Sequence, residues 1–276
     1  MARKKKVKKK YRGFWRFIKF QIFLMCLVFA GLAYYYFGGY AKQISELKAE
    51  AEHYVKTSTA DTFKASQTSI VYDLNGNQIS VLKGEKDVYY LTYDEIPANV
   101  TAAIISIEDK KFYQHGGVDY KAIMRAVLAM LKNGEVTQGG STITQQLARN
   151  VFISQERTWQ RKMEEIFISL KLEKKYTKNE ILEFYLNNIY FANGYYGIQA
   201  ASKGYFNVTV DQLDLSQIAF LCAIPNSPSM YDPVTNINKT LERRNLILEN
   251  MLNDGKITKS AYDTAVSEQI VLNRPQ

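Results

Sequence analysis

The feature that most constrains this chain is an uncharged segment of 22 residues, 20–41, which follows a strongly basic start. Its centre, IFLMCLVFAGLAYYYF, is apolar and ends in aromatic residues. About 20 apolar residues in a helix span a bilayer, and aromatic side chains favour its interfaces. A cleavable signal peptide is the alternative, but the apolar run is long and no Ala-x-Ala site follows it. We therefore predict a single N-terminal transmembrane helix over residues 20–41.

The net charge of +9 is concentrated at the N-terminus. Residues 1–19 hold ten of the 36 Lys and Arg residues and none of the 27 Asp and Glu residues, so the rest of the chain is close to neutral. A nucleic-acid-binding domain carries its basic residues on a folded face, so no nucleic-acid partner is expected. The positive-inside rule predicts a cytoplasmic tail over residues 1–19 and an extracytoplasmic location for everything after residue 41.

Beyond the predicted anchor, the sequence pattern is mostly helical. Residues 42–64 are polar with helical spacing and are predicted to form a juxtamembrane stalk, and residues 65–276 are long enough for one domain with a substantial core. Asn75-Gly76 between two β-favouring arms predicts a tight hairpin over residues 69–82. Helical spacing then predicts helices over residues 101–111, 120–131, 158–175, from 181 onward, 215–224 and 241–252, and Thr177 with Glu180 predicts a capping box that opens the helix from 181. The fold is expected to be mainly α with one small β-hairpin.

An acidic pair, Glu108 and Asp109, follows the apolar run AAIISI, and His115 comes shortly after it. Such a pair at the end of a helix is usually solvated surface. Here the preceding apolar pattern indicates burial, and burial would raise the pKa of a carboxyl group toward that of a useful base.

Three more polar segments could have a role in the site, but each also has a purely structural explanation. Gly139-Gly140 gives a turn before Ser141, which could cap a helix whose start suits a phosphate, although this signal is weak alone. Arg161 and Glu165 are four residues apart, a spacing that most often gives an exposed ion pair. The segment ILEFYLNNIYFANGYYG is rich in aromatic residues at helical spacing. Such residues more often belong to a protein core than to a surface on which sugars stack.

The order of these segments along the chain resembles a known family. The blocks EDKKFYQHGG, GGSTITQQLARN, RKMEEIFISLKLE, ILEFYLNNIYFANGYYGIQAASKGYF and LSQIAFLCAIPNSPSMYDP followed by RRNLIL resemble the five signature blocks of glycosyltransferase family 51. That family comprises the glycan-polymerising domain of class A penicillin-binding proteins and the monofunctional transglycosylases. The resemblance covers about residues 65–255 and implies a lysozyme-like, mainly α glycosyltransferase domain.

The resemblance also assigns roles to particular residues. The first block, Glu-Asp-x-x-Phe-x-x-His-x-Gly, implies that Glu108 is the general base, and the third, Arg-Lys-x-x-Glu, implies that Glu165 is a second essential carboxylate. Arg149 stands where the family most often has Lys. The expected contact with pyrophosphate would therefore be made by a planar guanidinium group in place of a compact ammonium group. The last two blocks are mainly architectural, with Gly197 and Arg243 as further candidates for the cleft lining. The substrate-binding residues implied are Asp109, Phe112, His115, Ser141, Thr142, Gln145, Gln146, Arg149, Asn150, Arg161, Lys162 and Asn187.

The implied reaction is the polymerisation of lipid II into β-1,4-linked glycan at the outer face of the cytoplasmic membrane, with inversion and release of the polyprenyl pyrophosphate. The implied partners are lipid II, the growing glycan strand, the membrane, and cell-wall synthesis or division proteins. No metal site is predicted, because no His, Cys or Asp cluster has ligand spacing. No cofactor is required, and a divalent cation would be compatible with the chemistry.

Two other functions use the same residues. A lysozyme-like hydrolase would also need two carboxylates in a helical domain, but the basic residues Arg149, Arg161 and Lys162 favour a pyrophosphate leaving group. A non-catalytic scaffold would not need intact carboxylates and cations. Bifunctional members of the family add a transpeptidase with Ser-x-Asn and Lys-Thr-Gly motifs, which this sequence lacks. We therefore expect a monofunctional enzyme or the N-terminal part of a bifunctional one.

Overall fold

The computed structural model describes residues 2–64, 69–72, 78–82, 89–133, 140–153 and 158–274. The chain divides into two compact units, residues 1–50 and 51–276. Helix α1, Ala2–Phe37, belongs to the first unit, and helix α2, Tyr40–Thr57, begins there and ends in the second.

Helix α1 contains an exposed apolar stretch, Gly13–Phe37, within which a window of 18 residues has a mean hydropathy of 1.9. Its 25 residues are long and apolar enough to cross a membrane. The stretch includes most of the predicted anchor, residues 20–41.

In the part of the second unit that the structure describes, helices are joined by one pair of strands. Strands β1, Ser69–Tyr72, and β2, Gln78–Leu82, are antiparallel, and Ile70 pairs with Val81. This confirms the predicted β element, while its turn at Asn75-Gly76 lies outside the described residues. The helices that follow are α3 Ala98–Glu108, α4 Tyr120–Asn133, α5 Ile143–Phe152, α6 Trp159–Lys175, α7 Lys178–Asn188, α8 Ile198–Phe206, α9 Leu215–Cys222, α10 Ile237–Asn253 and α11 Lys259–Ser267.

Local sequence signals set several of these helix ends. Thr177 and Glu180 form the predicted capping box at the start of α7. Helix α5 is capped by Thr142, whose side chain accepts the Gln145 N–H, and not by Ser141 as predicted. Helix α3 ends at Glu108, three residues earlier than predicted, because Asp109 leaves the helical backbone conformation with φ −159° and ψ 72°.

The core of the second unit lies around α7 and α9. Helix α5 packs on α6 and α7, and α3 packs on α9 and α10. The rings of Phe63 and Phe184 stack 3.9 Å apart at its centre. The end of α3, the middle of α10 and the start of α5 are thereby brought together, although they lie far apart in sequence.

The end of α2 is also part of this core. Ala51, Val55 and Phe63, which the sequence pattern assigned to a stalk, are buried. The Lys175 ammonium group donates to the carbonyl oxygens of Val55 (2.8 Å) and Ser58 (2.5 Å). A cation at this position satisfies carbonyl groups that the helix end leaves without intrahelical partners.

Candidate active site

A cleft of about 870 Å³ opens in the second unit, between the end of α3, the starts of α4 and α5, and the middle of α10. Seven of the residues predicted from sequence lie in its wall: Glu108, Asp109, Ser141, Thr142, Gln146, Arg149 and Arg243. The other predicted site residues are outside the wall, and their surroundings differ.

Glu108 is the last residue of α3, and its side chain is only 4% exposed. Gln146 Nε2 of α5 donates to Glu108 Oε2 at 2.8 Å, and Arg243 Nη2 of α10 donates to Glu108 Oε1 at 3.1 Å. Tyr185 of α7 donates in turn to Gln146 Oε1 at 3.1 Å, which fixes the orientation of that amide. The carboxylate is therefore held by groups from two other helices at the floor of the cleft.

Sequence reasoning named Arg243 only as a candidate lining residue, yet it forms the ion pair with Glu108. Its guanidinium group lies 5.0 Å from the centre of the Tyr231 ring, which also lines the cleft. The RRNLIL block was the available signal, but it did not show which of its two arginines faces the carboxylate. The wall also contains three cations that were not predicted, Lys110, Lys111 and Arg125, and Arg125 of α4 lies 4.0 Å from Asp119.

Asp109 links three segments of the cleft wall. Its carboxylate oxygens lie 2.9 and 3.0 Å from His115 Nε2, and its Oδ2 accepts the Ile143 N–H at 3.1 Å, at the first turn of α5. The Gly117 N–H donates to His115 Nδ1 at 3.1 Å, so the imidazole proton is on Nε2 and points to Asp109. Asp109 and His115 thus fix the start of α5.

The start of α5 is tied further to the loop after α3. Thr142 Oγ1 donates to the Gly117 carbonyl at 2.6 Å, while Gln145 is buried and completes the capping box through its Oε1. Gly117 has φ +95°, and a Cβ there would lie 2.7 Å from the Ser169 carbonyl of α6. Only glycine fits this close approach.

Glu165 is the second buried carboxylate, with a side chain that is 1% exposed. Lys162 Nζ donates to Glu165 Oε2 at 2.7 Å, and Arg161 Nε lies 3.4 Å from Oε1. Lys162 Nζ also donates to Ser141 Oγ at 2.8 Å, so it joins Glu165 to the cleft wall. Glu165 itself is not among the lining residues, and the charged groups of Arg161 and Lys162 lie next to its carboxylate.

Three other predicted substrate contacts also lie outside the wall. Phe112 is buried in the core beneath Lys178, whose ammonium group is 4.2 Å from the ring centre. The buried Asn187 amide donates to the carbonyls of Leu91 and Glu183, and its Oδ1 accepts the Leu91 N–H. Asn150 follows Arg149 on α5 and is half-buried. Phe112 and Asn187 hold elements in place in this structure.

The electrostatic surroundings of Glu108 include two groups beneath it. Burial raises the pKa of the Tyr185 hydroxyl and the Cys222 thiol well above their usual values, and the negative charge of Glu108 adds to both shifts. Both groups are therefore neutral at any working pH. At the cleft wall, burial would raise the pKa of Asp119, but the N–H groups of Ala122 and Lys121 and the charge of Arg125 lower it on balance.

Arg149 differs from the other cations near the cleft. It lies in the wall and, within the part of the chain that the structure describes, it forms no ion pair. A search of the same residues finds no group of three or more His, Cys, Asp or Glu side chains that could hold a metal ion. The cleft thus combines two buried carboxylates that are held by partners, Glu108 and Asp109, with an arginine that is available to an anion.

Comparison with known proteins places the chain in a family. The family model described as Transglycosylase matches residues 75–252. This chain belongs to the Transglycosylase family. It is 43% identical to penicillin-binding protein 1A of Escherichia coli over 203 residues, which are 74% of this chain and 24% of that protein. It is 37% identical to penicillin-binding protein 4 of Bacillus subtilis over 233 residues, 84% of this chain and 37% of that protein.

The chain thus spans 24% of the length of the Escherichia coli protein and 37% of the length of the Bacillus subtilis protein. A shorter relative from Cupriavidus necator, provisionally named a transglycosylase, is 42% identical over 183 residues, 66% of this chain and 79% of its own. The crystal structure of penicillin-binding protein 1A from Haemophilus influenzae aligns with 76% of this chain and 21% of its own at a TM-score of 0.44 and 23% identity.

Proposed function

We propose that this member of the Transglycosylase family is a peptidoglycan glycosyltransferase that polymerises lipid II into β-1,4-linked glycan. The observation that carries the proposal is the cleft in which a buried carboxylate, Glu108, lies near an uncommitted arginine, Arg149. Transfer of a sugar from a pyrophosphate needs both a base for the acceptor and positive charge for the leaving group.

Glu108 would act as the base. The 4-hydroxyl oxygen of the acceptor sugar attacks the anomeric carbon of the donor, the carbon–oxygen bond to the pyrophosphate breaks, and the hydroxyl proton passes to Glu108. Direct displacement turns the α-linked donor into a β-linked product. A positioned base contributes roughly 10²- to 10⁴-fold to such a step.

Arg149 and Arg125 would stabilise the departing polyprenyl pyrophosphate. Both lie in the cleft wall. Arg149 forms no ion pair among the described residues, and the one ion pair of Arg125 in this part of the chain, with Asp119, is long at 4.0 Å. Preorganised cations act on charge that develops in the transition state and typically contribute a few kcal/mol. Arg161 and Lys162 contact Glu165 instead, so we assign them, with Glu165, to holding Ser141 and the cleft wall in place.

The surface of α4 supports a substrate with a lipid tail. Tyr120, Met124 and Leu128 repeat every four residues and are exposed, while Ala122 and Arg125 of the same helix line the cleft. An apolar stripe beside a charged cleft suits a molecule with a polar head and a hydrocarbon chain. With the apolar stretch in α1, it supports a membrane-anchored enzyme whose basic tail is cytoplasmic and whose cleft is extracytoplasmic.

The experiment that tests this function is polymerisation of purified lipid II by the full chain in detergent. We expect the wild type to give glycan polymer and Glu108→Gln to give none above background. Glu249→Gln, an exposed carboxylate on α10, is the matched control and should keep wild-type activity. A wild type that makes no polymer, or a Glu108→Gln variant that keeps full activity, would overturn the proposal.

The hydrolase and scaffold alternatives give different products in the same assay. A hydrolase would release soluble fragments from mature glycan, and a scaffold would leave both substrates unchanged. The need for a divalent cation stays open to test by adding a chelator to the polymerisation reaction.

A further inference from the structure

Two adjacent arginines on α10, Arg243 and Arg244, have the same chemistry and different surroundings. Arg243 faces the cleft and contacts Glu108. Arg244 is buried and donates to Ser216 Oγ at 2.9 Å and to the carbonyl oxygens of Val266 and Glu268. Consecutive helical residues point about 100° apart, which places one arginine at the cleft and the other against the C-terminal segment.

The buried position of Glu108 requires a compensating charge. A carboxylate removed from water is strongly destabilised unless it is paired. Each element packed around Glu108 presents a different group to it. Helix α5 presents Gln146, which is neutral, and helices α7 and α9 present Tyr185 and Cys222, which burial and the charge of Glu108 keep protonated.

Two further charged groups lie near Glu108. Asp109, the next residue, is an anion paired with His115, and Arg149 acts on the same buried region at longer range, without an ion pair to Glu108. Among the described residues, Arg243 is therefore the cation in direct contact with Glu108.

We infer that Arg243 is the positioning residue of the base: its ion pair with Glu108 Oε1, together with the Gln146 hydrogen bond to Oε2, holds the carboxylate in place for the acceptor hydroxyl, and Arg243 does not bind the pyrophosphate. This inference rests on the proposed glycosyltransferase function. It divides the cationic side chains of the cleft by task. Arg243 is committed to the carboxylate, and Arg149 is available to the phosphate groups.

The geometry explains why an arginine occupies this position. The planar guanidinium group can rest near the Tyr231 ring while one of its edges donates to Glu108 Oε1. A lysine ammonium keeps the charge but lacks the planar fork, so it would hold the carboxylate less well. We therefore expect partial rescue by lysine and none by an apolar side chain of similar length.

The test compares Arg243→Met and Arg243→Lys with Arg149→Met in steady-state polymerisation of lipid II. For Arg243→Met we expect kcat to fall about 100-fold with KM changed less than about threefold, since a positioned base contributes on this scale. The kcat of Arg243→Lys should be at least about tenfold higher than the kcat of Arg243→Met. Arg149→Met should lower kcat and also raise KM, because the pyrophosphate is charged in the bound substrate as well as in the transition state.

The pH–rate profile gives a readout that a merely structural role would not move. Loss of a contacting cation favours the protonated carboxyl group, so the acid limb of kcat should move to higher pH in Arg243→Met and much less in Arg243→Lys. Arg244→Lys is the control for general loss of α10 packing, and it should lower the melting temperature while leaving kcat and the acid limb unchanged.

The outcomes separate this inference from the proposed function. A wild type that makes no polymer would contradict the proposed glycosyltransferase function. With an active wild type, an Arg243→Met variant that keeps kcat, or one that raises KM while its acid limb stays in place, would overturn the role of Arg243 alone. If Arg243→Met is too unstable to assay, Arg243→Gln takes its place and is judged by the same changes in kcat and in the position of the acid limb.

Discussion

Two of the buried glutamates of the domain have contrasting settings, Glu108 at the end of α3 and Glu165 within α6. Glu108 lines the cleft and is held by one arginine and one amide. Glu165 is farther from solvent, lies outside the cleft wall and is held by two cations, Arg161 and Lys162. The contrast teaches that burial of a carboxylate does not by itself indicate a base, because a base must also face the space where the substrate binds.

The largest effect expected from this comparison is the loss of turnover in Glu108→Gln. The amide is nearly isosteric but cannot take a proton, so kcat should fall roughly 10³-fold, within the range for a positioned base. The melting temperature should stay within a few degrees of the wild type. A glutamine variant with near-normal kcat would show that the two glutamates do not differ as described.

Glu165→Gln should act mainly on stability. It removes the carboxylate charge next to Arg161 and Lys162, a change that costs about 3–5 kcal/mol in fully buried pairs. Lys162 is 42% exposed and can be partly solvated, so we expect a loss of about 2 kcal/mol in the free energy of unfolding. Urea unfolding of both variants measures this, and equal stability of Glu165→Gln and wild type would contradict it.

Ser141→Ala should give the smallest effect, because it removes the hydrogen bond through which Lys162 connects Glu165 to the cleft wall. The loss of one such bond lowers stability by about 1 kcal/mol, and kcat should change only a few-fold. If Ser141→Ala instead lowers kcat as strongly as Glu108→Gln, the two glutamates form one catalytic unit. The same polymerisation and unfolding assays decide between these outcomes.

The sequence predicted those parts of the site that depend on local spacing. The capping box of Thr177 and Glu180 and the pairing of Arg161 with Glu165 follow from residues three or four positions apart. The burial of that ion pair did not follow, since the same spacing is usual on exposed helix faces. Whether such a pair is covered depends on what packs over it.

Contacts between distant elements could not be predicted in this way. Arg243 and Glu108 are 135 residues apart, and they meet because α3 and α10 pack together. The substrate roles implied for Phe112 and Asn187 came from motif membership, whereas the structure shows that both side chains are committed to the protein interior. A motif marks positions that matter without showing whether a residue contacts the ligand or supports a neighbour that does.

The exposed residues of α4, Tyr120, Met124 and Leu128, have a kinetic consequence for such an enzyme. If both enzyme and substrate reside at one interface, encounters depend on the number of substrate molecules per unit area and not on their amount per volume. Adding inert lipid or detergent at a fixed quantity of substrate should then slow the reaction by surface dilution. Replacing Met124 and Leu128 with serine should weaken that dependence.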